Sequence, residues 1–363
     1  MNNKSRLFQI GAGAILALGG LAMASPGHTQ SPEAAASPWI KTDQTSVRLI
    51  SAIDKVGSGD TVRVGLQFKL KKGWKIYWRN PGDAGFPPSL DWKGSQNLKS
   101  AVFGWPAPTR FEVLGFQTMG YKKEVVFPIT ASVKEAGGTL KLRAKLNYLA
   151  CDDICIPYST LLSLDVGKGN GGASPHFQLI DKYANLVPGN GAKHGLSIDT
   201  IEMAGKARQV KEDIRKGFVR VVATSQVPFT KPDVFIEGPE LAFFSVPAVT
   251  LSDGGRQATL KVPVTLEEDT NLLKTDIRLT LTDGNRSAER TLRLTQGAAS
   301  EAPAGGSLPL SLPLILALAV VGGLILNLMP CVLPVISLKL LSVVSHGGGD
   351  PREVRRGFMA TTA

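Results

Sequence analysis

Alternation of apolar and polar residues with a period of two runs through much of this chain. Val62, Val64, Leu66, Phe68 and Leu70 share one side of the run from Thr61 to Leu70. Such a period places successive side chains on opposite faces of an extended strand. An aromatic run from Trp74 to Trp78 follows, then Val125 to Val133, Leu140 to Tyr148 and Thr160 to Val166, with Gly and Pro turns between them. Short strands punctuated in this way predict an antiparallel β-sandwich over residues 37–166. A Gly-rich break, Gly167 to Ala173, leads to Ser174-Pro175, which predicts the N-cap and first-turn proline of a short helix reaching about Val187. Residues 167–190 therefore read as a linker carrying one helix. Strand signals return at Phe218 to Ala223, Asp233 to Glu237, Ala258 to Val264 and Ile277 to Leu281, and predict a second sandwich over residues 191–297.

Two stretches depart from this alternation. Lys4 and Arg6 precede an apolar run from Leu7 to Ala22, and Ala22-Met23-Ala24 offers a small-x-small cleavage site. Residues 1–24 are expected to be a secretory signal peptide. Ser25 to Ser37, rich in Pro, Ala and Ser, reads as a linker. Near the other end, no charged residue falls between Glu301 and Lys339, and Leu312 to Leu328 is almost wholly aliphatic or Gly. That length suffices for a membrane helix, expected over residues 308–345. Arg352, Arg355 and Arg356 follow it and place residues 346–363 in the cytoplasm, as a loop leading to a further span. The fold class expected is all-β, two immunoglobulin-like antiparallel β-sandwiches followed by the start of an α-helical transmembrane domain.

Composition changes this picture little. A hydrophobic fraction of 43% with 39 Gly and 23 Pro suits a globular, turn-rich chain. The net charge of +11 raises nucleic acid as a partner, but the Lys and Arg residues are scattered along strands, with no run interleaved with aromatics. Cysteine usage matters more. Cys151 and Cys155 lie in the exported region, where disulfides are permitted, and Cys331 lies in the expected span. An odd count suggests a partner elsewhere, as in the N-terminal part of a polytopic protein.

The sharpest candidate chemistry lies between Leu140 and Val166. Leu140, Leu142, Ala144, Leu146 and Tyr148 point one way, and Lys141, Arg143, Lys145 and Asn147 the other. Carrying the period forward puts Cys151 on the polar face, and counting back from Leu162, Leu164 and Val166 puts Cys155 there too. Asp152-Asp153-Ile154 then becomes a three-residue hairpin loop, with the cysteines as cross-strand neighbours at disulfide separation. Three readings stay open. A staple across so short a loop removes little chain entropy, about 2 kcal/mol. An exposed, adjacent pair suits thiol–disulfide exchange, in which a thiolate attacks a reachable sulfur. Lys141, Arg143 and Lys145 would favour that thiolate, and Asp152 and Asp153 oppose it. Two thiolates also suit Cu(I) or Zn(II), with Met119 as a conceivable helper, but no His lies near the pair for full zinc coordination. In the apolar segment, Pro330 and Pro334 flank Cys331. Each proline frees a backbone carbonyl, which in a membrane requires a protein-lined or water-lined setting.

NLMPCVLPVISLKLL, residues 327–341, resembles the first core helix of the DsbD and cytochrome c biogenesis transmembrane family. ACDDICIP, residues 150–157, is similar to the cysteine hairpin of that family's exported N-terminal domain. Residues 73–92 and 120–129 resemble the two-domain variant, the suppressor-of-copper-sensitivity B proteins. The resemblance implies a protein-disulfide reductase of the bacterial inner membrane, with residues 25–307 in the periplasm and no cofactor or resident metal. Electrons would pass from cytoplasmic thioredoxin to a membrane cysteine pair, with Cys331 matching its first member. They would go on to a thioredoxin-like C-terminal domain, to Cys151 and Cys155, and finally to periplasmic thioredoxin-like or isomerase-type proteins. It also implies a cap loop near Phe111 to Tyr121 that shields the disulfide, with Phe116 as its aromatic and Tyr121 behind it. A Cu(I)-binding periplasmic module for copper tolerance is the alternative.

Overall fold

In the computed structural model, residues 35–113, 115–205 and 207–297 are described, and they fall within one compact unit. The expected signal peptide, the membrane helix with Cys331 and the cytoplasmic loop lie outside the described residues. Among the described residues no helix is long and apolar enough to cross a membrane.

The first sandwich pairs two sheets. One has the strand order Ile40–Lys41, Thr45–Ser51, Thr61–Leu70, Glu124–Val133, Leu98–Phe103. The other runs Lys55–Val56, Cys155–Lys168, Leu140–Cys151, Lys75–Gly82, Phe116–Lys122, Thr109–Val113, with Ser89–Asp91 added beside Leu140–Cys151. The alternation read from the sequence sets which faces meet. Val62, Val64, Leu66 and Phe68 all point into the core, as do Leu140, Leu142, Leu146 and Tyr148 from the opposite sheet. Phe68 anchors the centre, edge-on to Phe127 at 6.0 Å and to Tyr148 at 5.0 Å. The Tyr148 hydroxyl meets that of Thr45 at 2.6 Å, so the one polar atom this ring carries inward has a partner. Pairing is antiparallel throughout this domain except for a two-residue parallel bridge between Gly167–Lys168 and Lys55–Val56.

The linker helix spans Phe177–Ala184, two residues later in its start and shorter at its end than Ser174-Pro175 suggested. Ser174 instead closes a preceding turn. Its hydroxyl accepts the His176 N–H at 3.0 Å, and its carbonyl accepts the Phe177 N–H at 3.1 Å. Ile180 and Tyr183 bury one face of the helix on the first sandwich, where the Tyr183 hydroxyl donates to the Glu124 carbonyl at 2.9 Å.

The second sandwich sets a seven-stranded sheet, centred on Leu196–Met203, Ile214–Ser225 and Gln257–Glu267, against a three-stranded one ordered Pro232–Glu237, Asp276–Asp283, Arg286–Arg293. Ile198, Val221, Leu260, Leu279 and Leu281 fill the space between them. Asp283 is a buried charge in this domain. It accepts from the Thr230 hydroxyl at 2.8 Å, the Lys231 N–H at 2.6 Å and the Arg286 guanidinium. Burial alone would raise its carboxyl pKa, but those donors reverse the effect and hold it below the ordinary carboxylate value. A depressed pKa contributes stability above the unfolded value of about 4 and loses it as pH falls through the folded value. Asp283→Asn is therefore expected to cost about 1–3 kcal/mol at pH 7 and to lose less on acidification to pH 3 than the unaltered chain does. Urea melts at the two pH values test this, and an unaltered acid response would refute it.

The two sandwiches share a seam along Pro232–Glu237. Phe235 on this strand packs into the core of the first sandwich, 5.9 Å from Trp78. Arg79 donates to Glu237 through two nitrogens and also pairs with Glu289.

Candidate active site

Cys151 and Cys155 close the hairpin of Leu140–Cys151 with Cys155–Lys168. The ladder runs unbroken from Leu140↔Val166 to Cys151↔Cys155, with no bulge near the turn. The loop is Asp152-Asp153-Ile154, closed by Asp152 N–H donating to the Ile154 carbonyl at 3.0 Å. The two cysteines are disulfide-bonded, with Cα atoms 4.2 Å apart.

Their exposure differs from the expectation that both sulfurs face solvent. Cys155 is exposed, but Cys151 is fully buried. The outward face of Leu140–Cys151 is polar only as far as Asn147. Beyond it Leu149 and Cys151 lie in a small apolar cluster with Tyr77, Phe111 and Val113, separate from the main core. Phe111 and Val113 come from the hairpin of Thr109–Val113 with Phe116–Lys122, which acts as a lid on this end of the sheet. Gly120 lets that hairpin approach. A Cβ there would stand 2.0 Å from the Ile76 carbonyl oxygen, so only glycine permits the close passage of the two backbones.

The positive charge at the site also differs from expectation. Arg143 is committed to Asp165, 2.5 Å away. Lys145 precedes Cys151 by six residues on the same strand, about 20 Å at the rise of an extended chain. The nearer cations come from other strands. Lys75 is the ladder partner of Cys151, and Lys122 is the partner of Lys75, so Cys155, Cys151, Lys75 and Lys122 form one cross-strand row on one face. Lys75 and Lys122 place their ammonium groups 5.8 Å and 5.3 Å from the centre of the Phe111 ring. Asp152 pairs with Lys75 at 3.3 Å. The carboxylate rests against Gly73, at φ +93°, where a Cβ would come within 2.1 Å of it. Tyr77 completes the site, with its hydroxyl 3.9 Å from Cys155 Sγ. Burial pushes the Tyr77 phenol above its ordinary pKa, so it stays a proton donor toward sulfur.

The residues expected to form a cap divide between two faces. Phe116 pairs with Val113 on the site face but stands 50% exposed at the hairpin tip, outside the buried cluster. Tyr121 corrects the expectation. It is the ladder partner of Ile76 on the core face, its hydroxyl donates to the Pro106 carbonyl at 2.8 Å, and its ring meets Phe127. Met119 shares that core face and is likewise turned away from the cysteines. The covering aromatic is Phe111. Phe111→Ala is expected to raise the rate at which a small thiol such as glutathione reduces the disulfide by about tenfold, through loss of cover rather than of fold. Quenched alkylation time courses would show it, and an unchanged rate would remove Phe111 from this role.

As a staple the bridge is weak. Its short loop contributes about 2 kcal/mol against the 5–15 of a typical domain. A Cys151→Ser, Cys155→Ser double variant is expected to remain folded with a modestly lowered Tm. An unfolded variant would make the bridge structural.

Parts of this chain are similar to known families and structures. Residues 46–166 match the family model described as thiol:disulfide interchange protein DsbD, N-terminal. Residues 186–297 match a domain of unknown function, DUF8393. The N-terminal periplasmic domain of ScsB from Proteus mirabilis aligns with a TM-score of 0.57 at 23% identity, over 72% of this chain and 99% of that one. At that identity the likeness establishes a shared fold. The DsbD N-terminal domain of Neisseria meningitidis in its reduced form overlaps 40% of this chain and 95% of its own, at 17% identity and a TM-score of 0.21. No curated protein matches the chain significantly.

Proposed function

We propose that this protein, whose residues 46–166 form a DsbD-type N-terminal domain, is the exported electron-donating part of a membrane thiol:disulfide reductase. The single observation that carries the reading is the inequality of the two sulfurs, one exposed at a hairpin end and its partner buried beside it under an apolar lid. Exchange by a dithiol needs one sulfur a partner can reach and a second sulfur positioned to displace that partner.

In the reduced domain the Cys155 thiolate attacks one sulfur of a partner disulfide. A mixed disulfide forms, and the partner's other sulfur leaves as a thiolate. Cys151 loses its proton and attacks Cys155 Sγ, re-forming the internal disulfide and releasing the partner as a dithiol. Two electrons move from Cys151 and Cys155 to the partner. Lys75 and Lys122 partly offset the apolar burial that opposes a thiolate at Cys151, and the Tyr77 hydroxyl donates to Cys155 sulfur. The partners are periplasmic thioredoxin-like or isomerase-type proteins. Reduction of Cys151 and Cys155 comes from the cytoplasm through the membrane segment, with Cys331 as one of its redox thiols and a thioredoxin-like domain between. In the complete protein Cys331→Ser leaves Cys151 and Cys155 oxidised in cells.

The test is transfer of electrons from the reduced protein to an oxidised thioredoxin-fold protein, followed by thiol labelling of both. Stoichiometric release of two partner thiols supports the donor reading. Retention of one Cu(I) per reduced protein with no exchange would replace it with the copper-binding reading.

A further inference from the structure

Residues 186–297 contain no cysteine and match a domain of unknown function. We infer that the second sandwich is a brace that positions the lid hairpin over Cys151, through Asp233 gripping Arg110. The inference deepens the donor reading and rests on it only for why access to the disulfide matters.

Arg110 and Phe111 are neighbours on the strand Thr109–Val113, so alternation sends their side chains to opposite faces. Phe111 points down into the cluster around Cys151. Arg110 points the other way, into the seam with the second sandwich. Its Nε and Nη2 donate to the two Asp233 carboxylate oxygens, each at 3.1 Å, and Nη2 also donates to the Val234 carbonyl at 3.0 Å. Its guanidinium lies over the Phe235 ring at 4.9 Å. A planar fork held along its Nε–Nη2 edge and covered on one face leaves little freedom for the backbone that carries it. Asp233 is itself held by its strand, which is bonded to Asp276–Asp283 and docked by Phe235.

The need for a brace follows from the sheet. Thr109–Val113 is the last strand in its order, paired on one side alone, and only five residues long. A short edge strand with one neighbour is the element most easily displaced. Displacing it lifts Phe111 off Cys151, and doing so must first break the Arg110 grip. Removing the grip should therefore populate the lifted state without touching the sulfurs.

The experiment uses the full chain in its oxidised form and reads the rate of disulfide reduction by glutathione. Asp233→Asn and Arg110→Lys should each raise that rate by about fivefold, the effect expected when one well-formed ion pair opposes an opening step. Arg110→Lys keeps the charge and loses the fork, so it serves if Asp233→Asn does not fold. In a Phe111→Ala background Asp233→Asn should have no further effect, because the cover it controls is already gone. Glu237→Gln weakens the same seam at Arg79, away from the lid, and should leave the rate unchanged. Equal acceleration by Glu237→Gln would reduce the effect to general loosening and overturn the proposal. So would native rates in folded Asp233→Asn and Arg110→Lys proteins. Electron transfer from the native protein to an oxidised thioredoxin-fold protein is measured in parallel. Its absence would remove the donor reading and leave the brace standing on the glutathione rates.

Discussion

Replacing Cys155 with serine is expected to leave a protein that captures nothing, whereas replacing Cys151 leaves one that captures partners and cannot let go. Both variants lose turnover. They differ in how. In Cys151→Ser the remaining thiol is exposed, in reach of the Tyr77 hydroxyl, and free to form a stable mixed disulfide. In Cys155→Ser the remaining thiol lies buried in the apolar cluster with Phe111, Val113 and Leu149. Apolar burial discourages the thiolate and the lid denies access, each worth about tenfold in rate, so labelling of the two variants should differ by about a hundredfold. Stopped-flow labelling with an aromatic disulfide reads this directly, and gel mobility without reductant reads partner trapping. Equal labelling of the two variants would mean the lid is open in solution and the roles of the two sulfurs are not fixed by burial.

Phe235→Ala carries the largest expected cost in stability. The ring leaves one sandwich to fill the core of the other, is almost completely buried, and contacts both Trp78 and the Arg110 guanidinium. Truncating a buried Phe costs about 3–5 kcal/mol, from lost transfer energy and the cavity that remains. For a unit of this size that lowers Tm by about 10 °C. The expected melt also changes shape. With its shared ring gone, the seam retains Arg79 and Arg110 as its principal ties, and the sandwiches should begin to unfold separately rather than in one transition. A loss below about 1 kcal/mol with a single sharp transition would show that the ion pairs alone unite the two domains.

Much of the site was legible in the sequence because it is local. The period of two around Cys151 and Cys155 fixes both register and loop length, and the ladder runs as the alternation implied. Burial was not legible, because the cover arrives from Thr109–Lys122, a segment distant along the chain. One residue did signal it. Leu149 is apolar on a face that is otherwise Lys, Arg, Lys and Asn, and an apolar residue there implies something lying over it. The cap aromatic expected from the resemblance was Phe116, with Tyr121 behind it, and the hairpin register puts Phe111 over the site instead. Val113 pairs with Phe116 across a turn in which Gly115 takes φ +83°, and that pairing sends Phe111 and Tyr121 to opposite faces. The role of Lys75 and Lys122 could not be read, since it depends on which strands lie side by side. The helix was displaced because Ser174 spends its hydroxyl on the turn ahead of it.

The continuous ladder leading to the cysteines also has a kinetic meaning. Twelve residue pairs, Leu140↔Val166 through Cys151↔Cys155, hold the two strands in register without help from the sulfur–sulfur bond. When a partner occupies Cys155, Cys151 remains its direct cross-strand neighbour, and its attack is intramolecular. Well-oriented reactions of this kind proceed as though the attacking group were present at about 10⁵ M or more. The mixed disulfide is then a brief intermediate. On the donor reading, a partner would leave reduced before solution thiols could intercept it, and each docking event would commit both electrons to the same acceptor.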